Sequence, residues 1–437
     1  MLTRGAWPWA LVVLLVSASG DEATSGDEAT DASPAARAAS SIAFAVLSSD
    51  HRVGQLAPAI LRTYAQDAAR VVIFVDSPSA VHKWDRRCTA TTRGVVSVAQ
   101  CCPNNSSLGD RISSAQYKLE HTFAQMLRIV PRFAFYVFTD DDTYWNVRLL
   151  EHMLGDVSPW IDAAKPTALF PGRRAGAMPG YAFCQTSGPF MIMNAKLVQL
   201  LADAAVMNAC RALTIRCYDV YRSHTSQNPR KLPLGDCPHE TRGWLNPYTG
   251  ALYNNDHLVN ICTAKHQRRN QANALCLPGF EFDVAWAICP DNSPYWRHRD
   301  WARRAIWCRS ACNVTLGCQM QSLFKRNMER LARARTPLFV HNQIGIAPSR
   351  FAAAMAHGES LVYAHAPVEP TRSQQIVDSI AAYHHVSGED MEWLHTRRSD
   401  PTGPRARAAV SWPRSWHAKV SVERWLRTTT GITFPSF

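Results

Sequence analysis

Charge is scarce in this chain. Asp, Glu, Lys and Arg make up 19% of its 437 residues, against 46% hydrophobic residues. Such a composition supplies a sizeable core and excludes global disorder. Acidic residues are the scarcer sign, 35 against 47 basic, which leaves a formal net charge of +12. Yet there is no long basic tail and no DNA- or RNA-binding motif, and clusters such as Lys265-His266-Gln267-Arg268-Arg269 and Arg303-Arg304 are short. A nucleic-acid partner is therefore not expected. A positive field of this kind suits a phosphate-bearing small substrate, an acidic polymer or a membrane surface, with solvated surface charge as the plain alternative. Cys-x-x-Cys spacing is absent among the 13 cysteines, which argues against a zinc ribbon or a thioredoxin-type site. The N-terminal apolar stretch from Ala6 to Val16 is short for a spanning helix, which needs about 17–25 residues, and Pro8 interrupts it.

That stretch is preceded by Arg4 and followed by Ser17-Ala18-Ser19-Gly20. It has the basic, apolar and small-residue regions of a secretory signal. Residues 1–20 are thus expected to be a cleaved signal or, alternatively, a short membrane anchor. Either places the chain in the secretory pathway, in the Golgi or ER lumen or secreted. The cysteines agree, since most would be paired in an oxidising lumen and an odd number leaves one over. Local bridges are expected among Cys308, Cys312 and Cys318, and between Cys88 and Cys101 or Cys102. Sequons at Asn104, Asn105 and Asn313 offer N-glycan acceptors. Residues 21–40, with the SGDEAT repeat and an Ala/Ser-rich run, read as a solvated stem.

Folded structure is expected from residue 41. Ile42–Leu47, Val71–Val75, Phe135–Phe138, Ala168–Phe170, Phe190–Met193 and Pro337–Val340 read as buried strands. Helical spacing falls between them: around Leu56–Ala65, over 112–130, from Asn146 to about Leu154, over Ala195–Ala205 behind an Asn194 cap, and from Asp256. Strands alternating with helices predict an α/β fold with a central, mostly parallel sheet. Residues 206–250, rich in Cys, Pro, Gly and Arg, read as an irregular insertion. Residues 351–437 read as a helical extension with a Trp-rich, basic tail and no assignable chemistry.

One segment carries most of the chemical information. Residues 133–148 read FAFYVFTDDDTYWNVR, with Asp140, Asp141 and Asp142 at the end of an apolar strand. Three carboxylates there repel one another and lose hydration, an arrangement most easily maintained beside a cation. Carboxyl ends of strands are also where open α/β sheets bind ligands. A solvated loop or an Asx-type cap is the alternative. A calcium loop of the EF-hand type needs Gly at its sixth position, where counting from Asp140 places Trp145.

Four ordered features extend the pattern: Arg62-Thr63-Tyr64, Ile73-Phe74-Val75-Asp76, the Asp140–Arg148 segment, and Phe339-Val340-His341. Together they resemble the Fringe-like β1,3-glycosyltransferases, a family that includes core 1 β1,3-galactosyltransferase. The resemblance spans about residues 41–350. It implies a Rossmann-like, nucleotide-sugar-binding domain of the GT-A type. It further implies inverting, Mn²⁺-dependent (or Mg²⁺-dependent) transfer of a hexosyl group, galactosyl or N-acetylglucosaminyl, from a UDP-sugar to a glycan or glycoprotein. By the same resemblance Asp142 and His341 are metal ligands. Asp140 and Asp141 lie near the ribose or behind the ligands, Asp76 near the uracil or ribose, and Gly188 near the donor. Asp256 is the base that deprotonates the acceptor hydroxyl.

Each assignment has a plainer counterpart. Asp256 could cap the helix it begins, Asp76 could serve the turn after its strand, Lys118 could be solvated charge, and lone histidines are usually surface or satisfied core groups. The chain also departs from the family pattern. Ser187-Gly188-Pro189-Phe190-Met191 keeps one glycine of a glycine-rich segment, and Asn255 precedes Asp256 where the family has a second acid. A catalytically silent protein that binds carbohydrate or a partner is therefore the alternative.

Overall fold

The computed structural model describes residues 42–85, 94–100, 114–171, 188–224, 255–269, 271–277, 280–283, 337–342, 345–357 and 370–399. The expected signal, stem, sequons and local cysteine bridges lie outside them.

Elements follow in the order β1 (Ile42–Leu47), α1 (Val53–Arg62), β2 (Arg70–Val75), α2 (Pro78–Asp85), β3 (Val95–Gln100), α3 (Ser114–Ile129), β4 (Phe135–Asp140), β5 (Thr143–Trp145), α4 (Val147–Val157), β6 (Thr167–Pro171), β7 (Met191–Asn194), α5 (Ala195–Ala202), α6 (Ala204–His224) and α7 (Asn255–Arg268). They continue with β8 (Asn273–Leu277), β9 (Phe280–Asp283), β10 (Leu338–His341), α8 (Pro348–His357), α9 (Pro370–Ser379), β11 (Ile380–His384) and α10 (Gly388–Arg397). Two sheets result. The larger has the order β3-β2-β1-β4-β7-β6-β8 and the smaller β5-β11-β10-β9. In the larger sheet only β7 runs against its neighbours. The fold is therefore α/β with a mostly parallel central sheet, as the alternation of patterns predicts.

β1 is apolar at every position because both its faces are covered. Ile42, Phe44 and Val46 join one core cluster, with residues of α1, α4, α10 and the smaller sheet. Ala43, Ala45 and Leu47 join the other, with residues of α3, α5, α6 and α7. Period-two alternation thus assigns each side chain to a layer. Two helix starts follow from sequence. Asn146 accepts from Leu149 N (3.2 Å) and Asn194 from Leu197 N (2.9 Å), each satisfying an end donor of its helix.

The strand order decides where a ligand can sit. From β1 the chain steps outward through β2 to β3, then returns to β4 on the other side of β1. Connections therefore diverge between the carboxyl ends of β1 and β4, which leaves a crevice there. Leu47 and Asp140 are register partners at that edge.

Two expectations need correction. The segment from 206 is helical as far as His224, and Cys210 is joined to Cys262 of α7. The Pro and Gly that suggested an irregular insertion all fall after residue 224; the stretch 204–224 contains neither. Nor does residue 350 bound the fold. β11 pairs with both β10 and β5, and Ile380, Ala382 and Tyr383 are fully buried in the first core cluster. Arg398, after α10, meets buried Asp67, which also pairs with Arg148 Nε at 3.1 Å.

A chain ending at residue 350 should therefore show no cooperative thermal unfolding. In the full chain, Ile380→Ala should cost about 2–5 kcal/mol in denaturant unfolding, the usual range for truncating a buried aliphatic side chain.

Candidate active site

The acidic run straddles the junction of the two sheets. Asp140 closes β4 in the larger sheet and Thr143 opens β5 in the smaller. Between them Asp141 N donates to Leu47 O (3.1 Å), and Asp142 O accepts from Val386 N (3.0 Å). The turn is thus pinned to the end of β1 on one side and to the segment after β11 on the other.

The side chains diverge accordingly. Asp141, 2% exposed, turns towards β1. It accepts from Ser48 Oγ at 2.6 Å and pairs with Arg52 at 2.9 Å. Asp142, 8% exposed, turns towards β11. Its Oδ2 meets Arg52 at 2.8 Å and His385 Nδ1 at 3.0 Å. His384 Nδ1 is 3.3 Å from Asp142 Oδ1 but is engaged by Thr143 Oγ1 at 2.9 Å. Asp142 Oδ1 is buried without a hydrogen-bond partner. Asp140 stays partly exposed, and His384 Nε2 lies 4.0 Å from its Oδ2.

Proton affinities follow these surroundings. Burial, reinforced by Asp142 and Asp141, raises Asp140 to about 7. Burial also raises Asp141 to about 6, against the opposing Ser48 hydrogen bond and Arg52. For Asp142 burial works the same way but is overcome chiefly by the His385 hydrogen bond, with Arg52 adding to it, and the carboxyl is held well below the ordinary range. Burial keeps His384 neutral far below its usual pKa in spite of Asp142. A neutral imidazole beside an ionised carboxylate is the state in which both can ligate a metal.

The residues expected from sequence are brought together unequally. Asp140, Asp142 and His384 each offer a ligand atom within 4.8 Å of the others. His341 ends β10 in register with His384, and its ring stacks on that of His384 at 5.2 Å. Among the described residues it groups with His384 and His385 and not with the aspartates. Asp76 sits in the turn after β2, where its backbone N donates to Asp50 Oδ1 (2.9 Å) and its carboxylate pairs with Lys118 at 2.7 Å. Lys118, expected as solvated charge, also donates to Ser48 O at 2.9 Å and so crosses the ends of β1 and β2. Gly188 opens a short turn whose Pro189 carbonyl accepts from Thr139 Oγ1 at 2.8 Å, which places it beside β4. Asp256 falls in the first turn of α7; its side chain is outside the described residues. Arg148 pairs with Asp67 at 3.1 Å.

Sequence reasoning missed Ser48, Arg52, His384 and His385. For the histidines a signal existed. Ile380–Tyr383 is an apolar run ending in two ligand-type residues, the pattern that singled out Asp76 and Asp140. Ser48 and Arg52 carry no local signal, because only the parallel pairing of β1 with β4 brings them to the aspartates.

No protein-family model matches the chain, and no curated protein matches it. Among solved structures it is similar to mouse xyloside xylosyltransferase 1 in its apo form, at 8% identity and a TM-score of 0.32, over 59% of this chain and 92% of that one. It is also similar to the apo WbbM bifunctional glycosyltransferase, at 10% identity and a TM-score of 0.28, over 62% of this chain and 44% of that one.

Because its folded pKa of about 7 exceeds the ordinary carboxylate value, Asp140 binds a proton in the folded state that the unfolded chain has released. Its cost to stability is full above pH 7 and disappears as the pH falls towards 4. In chelator-treated protein, Asp140→Asn should therefore raise the melting temperature at pH 8, and the gain should vanish near pH 4.

Proposed function

We propose that this protein is a metal-dependent, inverting glycosyltransferase that moves a hexosyl group from a UDP-sugar to a glycan or glycoprotein acceptor, forming a β1,3 linkage in the secretory pathway. The observation that carries this reading is the grouping of Asp140, Asp142 and His384 at the switch point of the sheet. It joins the Fringe-like character of the Asp140–Arg148 segment.

The residues present fit a divalent cation. Asp142 Oδ1 is buried with no hydrogen-bond donor, and two carboxylates with one neutral imidazole form an oxygen-rich donor set suited to Mn²⁺ or Mg²⁺. Asp142 and His384 would hold the ion with Asp140 beside them, and His384 replaces His341 as the proposed imidazole ligand. Bound there, the cation would neutralise charge developing on the diphosphate leaving group.

The remaining work falls to side chains of this chain. Arg52 is 43% exposed while it spans Asp141 and Asp142, so its guanidinium can also face a phosphate entering from solvent. Ser48 fixes the Asp141 carboxylate, and Lys118 holds the Asp76 carboxylate, the group the resemblance assigns to the uracil or ribose. Inversion requires one base on the face opposite the leaving group, and Asp256 is assigned that role from its place in the resemblance. α7, which carries it, packs against the Gly188–Phe190 turn. Asn255 and the single glycine at Gly188 favour the second reading, a silent carbohydrate-binding protein.

Screening UDP-sugars for Mn²⁺-dependent hydrolysis and transfer separates the two readings. Asp256→Asn should lower transfer by about 10²–10⁴-fold, the range for loss of a general base. Asp142→Ala should abolish the metal response, with thermal unfolding checking the fold of both variants. Full turnover in both would overturn the mechanism, and glycan binding without turnover in the unmodified protein would favour the silent reading.

A further inference from the structure

We propose a second metal site, made of His341, His384 and His385, that takes a later first-row ion such as Zn²⁺ and competes with the carboxylate site through the shared His384. The histidine site stands on the geometry of these residues; its competition with the carboxylate site rests on the cation site of the proposed function.

The three imidazoles each offer a nitrogen within 4.8 Å of the others. Two of them meet by strand pairing, because His341 and His384 are register partners at the carboxyl ends of parallel β10 and β11. The third requires a departure from strand geometry. Successive strand residues point to opposite faces, which would send His385 away from His384. Instead His385 has φ +56°, and the ring centroids of His384 and His385 lie 3.8 Å apart. A left-handed backbone at a non-glycine residue costs energy and persists only where its surroundings enforce it. Here Asn342 Nδ2 donates to His385 O at 3.0 Å, and Val386 N is held by Asp142 O.

Hydrogen bonding orients two of the rings as metal ligands are commonly oriented. His385 Nδ1 is engaged by Asp142 Oδ2 at 3.0 Å and His384 Nδ1 by Thr143 Oγ1 at 2.9 Å. In both rings this reserves Nε2, as in carboxylate–histidine–metal arrangements. Three imidazoles without a coordinating carboxylate favour Zn²⁺, Ni²⁺ or Co²⁺ over Mg²⁺ or Mn²⁺. The His385 side chain is 46% exposed, which leaves the cluster open to an ion arriving from solvent.

The test is Zn²⁺ titration calorimetry on the chelator-treated full chain, with thermal unfolding as the folding check. His385→Asn keeps a residue tolerant of positive φ and removes the imidazole; His341→Ala removes a ligand from the neighbouring strand. Each should weaken Zn²⁺ binding by about 10-fold or more, since losing a ligand costs at least as much as losing an outer partner. Asp140→Asn should leave Zn²⁺ affinity unchanged while weakening Mn²⁺, so the two sites fail separately. Absence of Zn²⁺ binding, unchanged affinity in both histidine variants, or a loss in Asp140→Asn as large as in His341→Ala would overturn the proposal. If His341→Ala unfolds, the His385→Asn result decides alone.

Discussion

The Asp142 carboxylate is the point at which the two sheets are joined electrostatically. Arg52 reaches it from the start of α1 and His385 from the end of β11, while its own backbone carbonyl holds Val386. Burying carboxylates without partners costs several kcal/mol each, so the acidic turn needs charged or hydrogen-bonding partners from both sides. Arg52, ahead of α1, supplies the charge, and the segment after β11 supplies the His385 contact. Neither sheet alone completes the arrangement, which is why residues 380–386 belong to the same unit as residues 42–52.

Beneath this charged layer lies an aromatic one. Trp145, Phe190 and Phe339 meet edge-to-face, with ring centroids 5.7–6.2 Å apart. Phe190 also packs against the His384 ring at 6.4 Å. Trp145 Nε1 donates to Thr139 Oγ1 at 3.0 Å, and Thr139 Oγ1 donates in turn to the Pro189 carbonyl. The chain of contacts satisfies the buried indole and sets the height of the Gly188–Phe190 turn relative to β4. A polar cluster supported by packed rings on strands holds its geometry more firmly than one carried by loops. The Tyr144-Trp145 part of the acidic segment thus serves packing, Thr143 orients His384, and Arg148 serves the Asp67 pair. The local motif combines a site with its own support.

Legibility in the sequence followed burial. β1, β2 and β4 were readable because central parallel strands are covered on both faces and appear as unbroken apolar runs. Asn146 and Asn194 were readable as helix starts because their caps are local. β3 has an exposed edge at Val95, and β5 has only three residues, too few for its period to register. The site divided in the same way. The aspartates stood out as three like charges after a strand, whereas His384 and His385 lay in a stretch whose partners are more than 200 residues away. His341 drew attention in place of its neighbour through the family resemblance at Phe339-Val340-His341, and only the pairing of β10 with β11 shows which of the two faces Asp142.

By itself the sequence determined the α/β alternation, the central strands, the two asparagine caps and the placing of three carboxylates at a strand end. Those features depend on neighbours along the chain or on hydrophobic burial, both written locally. Tertiary structure alone decided which carboxylate gives up its proton most readily, which histidine stands beside it, and that Arg52 and Ser48 belong to the site. Those outcomes depend on distances between segments remote in sequence. Coulombic and desolvation effects act through such distances, and no spacing along the chain encodes them.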